Sequence, residues 1–189
     1  NTVKDWDKFM TEDAKKYEAN DILMNFVDNH DENSWNGTIK SRLGNGEEAM
    51  TALSYVMPGM PLVYSGNEYS LDHSLKFFEK DSIPKIKGKD WELRAKLGKL
   101  KAENVALHGG KNKAKYTRIK TDDDANILAF VRKKNGKKVV YIANFSNNPI
   151  NTKIGITGEF TNYMTSKMMG LNEKQVYTIQ PFQYFILTE

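Results

Sequence analysis

The chain has 189 residues, 39% of them hydrophobic and 28% charged, with a formal net charge of +4 and no cysteine. That balance belongs to a folded chain rather than a disordered one and suits one large domain or two small ones. It excludes disulfides, thiolate catalysis and cysteine metal sites, and no apolar run approaches the roughly 20 residues of a membrane-spanning helix.

Trp6, Phe9, Met10 and Ala14 recur at helical spacing and predict an amphipathic helix over residues 2–17. Asn20-Asp21 breaks it. Residues 22–27, Ile-Leu-Met-Asn-Phe-Val, are a nearly unbroken apolar run, as expected of a parallel strand buried on both faces. A polar loop, 28–38, follows. Ala49, Leu53, Val56 and Met57 line one face of a second predicted helix over 46–57, which Pro58-Gly59 terminates. Residues 60–65 read as a second buried strand, with Pro61 expected at its first position, where a missing donor costs least. A long loop, 66–89, leads to a third helix over 90–107, striped by Leu93, Leu97, Leu100 and Leu107 and closed by Gly109-Gly110.

Helix, strand, helix, strand, helix is the order of right-handed crossover units on a parallel sheet. After Gly110 the pattern changes. Residues 127–132 and 138–144 are strand-like and joined by Lys134-Asn135-Gly136-Lys137, and Asn-Gly between such runs is the strongest short hairpin signal. Residues 150–156 and 175–187 add strands, and no helix is predicted beyond Lys111. The expected organisation is α/β over 1–110, followed by a small antiparallel β-sandwich over 111–189.

Chemistry concentrates in Asn25-Phe26-Val27-Asp28-Asn29-His30-Asp31, where a buried strand runs directly into two carboxylates, an amide and an imidazole. The carboxyl end of a parallel strand is where α/β barrels place their active sites. A loop that merely caps the next helix with Asp31 or Asn33 would carry the same residues without a function. Phe26-Val27-Asp28-Asn29-His30-Asp31 is similar to the Phe-Val-x-Asn-His-Asp motif that ends the seventh barrel strand in alpha-amylases. Pro58-Gly59-Met60-Pro61-Leu62-Val63-Tyr64-Ser65-Gly66-Asn67-Glu68 resembles that family's eighth strand, departing from it at Ser65 and Asn67. Both motifs come in the family order. The sandwich matches by architecture rather than by motif.

The resemblance implies the last two βα units of a (β/α)8 barrel and a retaining mechanism on α-linked glucans, with one carboxylate as nucleophile and another as general acid/base. Those two lie on earlier strands of the family, and Asp28, Glu32 and Glu68 are not promoted to replace them. Asp31 matches the third aspartate, which binds sugar hydroxyls and stabilises the oxocarbenium-like state. His30 matches a donor to a sugar hydroxyl, and Asn29 orients its neighbours. Trp35, in the following loop, is a candidate stacking platform, and Glu68 a candidate sugar contact. The resemblance implies no cofactor in this chain, with calcium confined to regions outside it.

His73 reads as a surface residue and Asp122-Asp123-Asp124 as a solvated turn, because EF-hand spacing is absent. The aromatics Tyr141, Phe145, Phe182, Tyr184 and Phe185 are assigned to core and edge. Lysines cluster at Lys111, Lys113 and Lys115 and at Lys133, Lys134, Lys137 and Lys138, but without the interleaved aromatics of a nucleic-acid surface.

The expected partners are therefore an α-glucan and either the rest of the barrel or a second copy joined through exposed strand edges. Neither nucleic acid nor membrane is expected. A transglycosylase or isomerase of the same family, and a non-catalytic glycan-binding or scaffolding fragment, stay open as alternatives. The chain opens with Asn1, so upstream sequence is expected and a missing leader does not bear on compartment.

Overall fold

The computed structural model describes residues 2–12 and 15–189. The first helix, α1, spans Val3–Glu12. It begins where the Asp5 carboxylate accepts the Thr2 backbone N–H at 2.6 Å. It is shorter than its periodicity suggested, and Ala14 lies outside the described residues. Its apolar face is fixed by Trp6, which stacks on Phe130 and donates its indole N–H to the Tyr116 hydroxyl at 2.9 Å.

Two short strands follow the expected parallel arrangement. Strand β1 (Met24–Asn25) pairs with β2 (Met60–Pro61) in the register Met24 to Met60 and Asn25 to Pro61. The N–H groups of Met60 and Leu62 donate to Leu23 and Asn25, at 2.8 and 2.7 Å. Pro61, the second strand residue rather than the first, falls between these donors, so its missing N–H costs no bond to β1. The expectation of burial on both faces is corrected here. Ile22, Met24, Phe26, Met60 and Val63 are exposed, because no further element among the described residues covers them.

The opposite face rests on helix α3 (Glu47–Val56), which follows a short helix α2 (Ile39–Leu43). Every residue of α3 from Thr51 to Val56 is buried, a wider apolar surface than one stripe. The reason is that α3 also packs against α4 (Lys89–Glu103) and the antiparallel sheet. The carbonyls at the end of α3 are collected by side chains from three directions. Asn25 donates to the Ser54 and Pro58 oxygens, Arg132 to Val56 at 3.2 Å, and Lys101 to Gly59 at 2.7 Å. The negative pole of the helix thus faces two half-desolvated or buried cations. Gly59 is required where it stands: its φ is +117°, and a Cβ would lie 2.5 Å from the Leu23 oxygen.

Helix α4 stops at Glu103, earlier than the leucine stripe suggested. Asn104 accepts the Ala106 N–H, and Leu107 is buried from a 3-10 turn. Beyond it come β3 (Lys115–Arg118), β4 (Ile127–Lys134), β5 (Lys137–Asn144), β6 (Ile150–Lys153), β7 (Gly158–Asn162), β8 (Lys167–Leu171), β9 (Val176–Ile179) and β10 (Tyr184–Thr188). A six-stranded sheet has the order β3-β4-β5-β10-β7-β8, and β6 pairs with β9 separately. The β4–β5 hairpin closes through Asn135 and Gly136 at φ 48° and 78°, the two positive values a type I′ turn needs.

Alternation along the central strands separates two cores. Leu128, Phe130, Val139, Tyr141 and Ile186 pack with Leu53, Leu93, Leu97 and Leu100 of the helices. Ile127, Ala129, Val140, Ile142 and Leu187 pack with Phe160, Leu171 and Ile179, under the β6–β9 pair. Residues on both sides of Gly110 therefore share one of the two cores. The Tyr141 hydroxyl, fully buried, donates to the Ala49 oxygen at 2.7 Å, and burial pushes that phenol well above its usual range.

Candidate functional site

Because β1 and β2 are parallel, the loops that leave them emerge at the same end of the pair. Asp28 locks those loops together. Its side chain has no exposed surface. One oxygen accepts from Arg42 Nη2 at 2.7 Å, and the other from Asn67 Nδ2 at 3.0 Å and Asn33 Nδ2 at 3.4 Å. Arg42 spreads its guanidinium further, to the Val27 and Gly37 oxygens and to Glu32 at 3.3 Å. Burial and the neighbouring Asp28 carboxylate push the Tyr64 phenol up.

The other polar residues of the motif divide into one that shapes the turn and two that face solvent. The Asn29 side-chain oxygen accepts the Glu32 N–H at 2.7 Å, and its backbone oxygen accepts that of Asn33 at 2.9 Å. Asn29 is thus the capping residue of the helical turn Glu32–Asn36. Asp31 makes no side-chain capping bond there. Its carboxylate lies 3.6 Å from His30 Nε2, and the two side chains are 61% and 63% exposed. The purely structural explanation of the motif therefore falls on Asn29 and Asp28, and not on Asp31.

Trp35 projects from the same turn, 63% exposed, with its ring 5.3 Å from Phe77 and 6.5 Å from Phe78. Phe77 also lies 5.8 Å from the His30 ring. The loop carrying both phenylalanines is tied down. Leu75 donates its N–H to Asn33 at 2.7 Å and receives the Ser34 hydroxyl at 2.9 Å, and Thr38 donates to Asp72 at 2.6 Å. Asp81 gathers His73 Nε2 at 2.8 Å with the Lys76 and Ser82 N–H groups. These bonds, the histidine's first, hold its carboxyl at about 2. Glu68 turns inward on its own loop and accepts the Gly66 N–H at 3.0 Å.

Among the described residues, no group of three or more His, Asp or Glu side chains is arranged to hold a metal ion. In the triple-aspartate turn, Asp122, Asp123 and Asp124 bond in different directions, to Lys153, Asn126 and Thr121 respectively. No helix of the described residues is long and apolar enough to cross a membrane. A cavity of about 100 Å³ lined by Phe9, Ile22, Leu23, Pro58 and Arg132 lies toward the opposite end of β1, and none of Asn29, His30, Asp31, Trp35 and Glu68 lines it.

Sequence reasoning brought Asn29, His30, Asp31 and Trp35 into one neighbourhood, but it missed Phe77, Phe78 and the keystone role of Asp28. Adjacent phenylalanines in a long polar loop, Leu75-Lys76-Phe77-Phe78-Glu79, were the available signal. Asp28 gave none, because its partners Arg42 and Asn67 are distant in sequence.

No protein-family profile and no curated protein sequence matches the chain. Solved structures do. A maltogenic alpha-amylase from Thermotoga neapolitana superimposes with a TM-score of 0.84 at 17% identity, over 100% of this chain and 46% of its own. An alpha-amylase from Geobacillus thermoleovorans, solved in complex with acarbose, gives 0.73 at 13%, over 99% and 43%. A cyclomaltodextrin glucanotransferase with a three-domain ABC distribution gives 0.71 at 16%, over 99% and 40%. The chain has the fold that these enzymes show over that stretch, and spans less than half of the length of each.

Proposed function

We propose that this chain is part of a retaining glycoside hydrolase acting on α-1,4-glucans, in which Asp31 is the aspartate that stabilises the transition state. One observation carries the reading. The helical turn after β1 is capped by Asn29, so Asp31 is not spent as its cap and stands exposed beside His30 at the carboxyl end of a parallel strand. That is the position from which a carboxylate can meet positive charge developing on a sugar ring. His30 donates to a hydroxyl of the same sugar, Trp35 offers a ring face, and Glu68 lies on the loop of the neighbouring strand. Residues 1–110 are read as the closing βα units of a (β/α)8 barrel and 111–189 as its terminal sandwich. The exposed row Ile22, Met24, Phe26, Met60 and Val63 is the face that the remaining strands would cover.

A second reading has one observation in its favour. His30 and Asp31 are both on the surface of this chain, as a non-catalytic glycan-binding fragment would have them. The row of exposed aromatics that such a fragment could carry on its sandwich is missing among the described residues of 111–189. The likeness to a glucanotransferase keeps sugar transfer beside hydrolysis as the fate of the intermediate.

The deciding experiment is Asp31→Asn in the complete enzyme. Turnover on soluble starch should fall at least about a hundredfold, the scale of a lost transition-state electrostatic contact, with a much smaller change in KM. Turnover within a few-fold of the unsubstituted enzyme would reduce Asp31 to a surface residue and leave the binding-fragment reading in place.

A further inference from the structure

We propose that Phe77 and Phe78, together with Trp35, form a second sugar-binding surface, a rigid aromatic platform that holds further glucose units of the same α-glucan beside the His30–Asp31 pair. The inference rests on the reading of that pair as a sugar site and extends it to Phe77 and Phe78, to which the sequence assigned no role.

Phe78 is 86% exposed, and Phe77 41%. Placing two adjacent phenylalanines in water is unfavourable, and in a mobile loop they would fold back onto the nearest apolar surface. They do not. The backbone on either side is held by Asn33, Ser34 and Asp81 through the bonds described above, so the rings are presented by a fixed frame.

Phe77 and Phe78 meet edge to face, 4.8 Å apart with planes at 72°, and Trp35 and Phe78 meet at 61°. Edge-to-face contact is a favourable aromatic geometry that covers part of one ring in each pair, and Phe78 still keeps most of its surface in solvent.

The position indicates the ligand. Phe77 is 5.8 Å from the His30 ring, so the platform is continuous with the polar pair. Lys76 and Glu79, on either side of the two phenylalanines in the chain, pair with each other at 2.9 Å and are 59% and 69% exposed. Apolar rings flanked by exposed polar groups suit a molecule that alternates C–H faces with hydroxyl edges, which is a pyranose chain.

The test uses isothermal titration of the 189-residue chain with maltoheptaose. Phe78→Ala should weaken binding about tenfold, equivalent to ~1.4 kcal/mol, and Phe77→Ala by a similar factor. Because Phe78 is largely in solvent, its removal should leave the urea midpoint unchanged, which separates loss of contact from loss of fold. The Asp31 reading is tested separately, by turnover of Asp31→Asn in the complete enzyme, so failure of the platform and failure of that reading are read in different experiments. Absence of maltoheptaose binding, or binding unaffected by both phenylalanine substitutions, overturns the proposal. Sedimentation that shows self-association abolished by Phe78→Ala, without sugar binding, overturns it too and assigns the patch to a second copy.

Discussion

Replacing Asp28 with alanine should unfasten both loops of the candidate site without touching His30, Asp31 or the aromatic rings. The side chain has no exposed surface, and it is the shared acceptor for Arg42, Asn67 and Asn33. Breaking a buried ion pair by deleting one partner costs about 3–5 kcal/mol, because the other charge is left uncompensated. The lower end applies here, since Arg42 is 19% exposed and keeps Glu32 at 3.3 Å. That still equals a fifth or more of a domain stability of about 5–15 kcal/mol. Urea unfolding followed by circular dichroism should show a lower midpoint at unchanged slope. Hydrogen exchange should quicken in residues 28–38 and 66–81. Asp28→Asn, which keeps the shape and one acceptor oxygen, should lose about 1–3 kcal/mol, as for a charged hydrogen bond made neutral. A loss below ~1 kcal/mol for Asp28→Ala would mean that Arg42 and the two asparagines hold the loops unaided, and the keystone argument would be wrong.

Burial, reinforced by the nearby Arg132, lowers the Lys101 ammonium to about 8. Its folded value lies below the unfolded one, so folding disfavours the charged form, and stability should rise with pH from about 8 toward the unfolded lysine value of ~10.4. Lys101→Met should remove that slope in a pH series of urea midpoints; an unaltered slope would assign it to another group. Gly59→Ala should lose about 1–3 kcal/mol, the scale of a strained backbone residue, because its Cβ would meet the Leu23 oxygen at 2.5 Å; an unshifted thermal midpoint would show that the β1–β2 junction can move. The 189-residue chain alone should release no reducing sugar from soluble starch, since the proposed mechanism needs two carboxylates that nothing here supplies; measurable turnover would reveal a complete site within it.

Local pattern in the sequence was sufficient for the main helices and the central hairpin. Helical periodicity in α3 and α4, the Asn135-Gly136 turn and the alternation of β4 and β5 act over a few residues, and each reappears where expected, although α4 ends four residues early. The short helix α2 and the strands β3, β7 and β8 were not predicted, and residues 175–187 divide into β9 and β10. Trp35 beside the His30–Asp31 pair was legible for the same reason, since they are near neighbours in the chain.

What the sequence could not decide was set by distant contacts. Residues 22–27 are apolar enough for a strand covered on both sides, but exposure depends on which elements are present to cover them. Asp28 and Asp31 are chemically identical letters three positions apart. One is sealed in by Arg42, Asn33 and Asn67, which come from α2 and both loops, and the other faces solvent beside His30. Phe77 and Phe78 join that site only because Asn33 and Ser34 bind the backbone of Leu75 across more than forty residues of chain, a pairing set by the parallel register of β1 and β2.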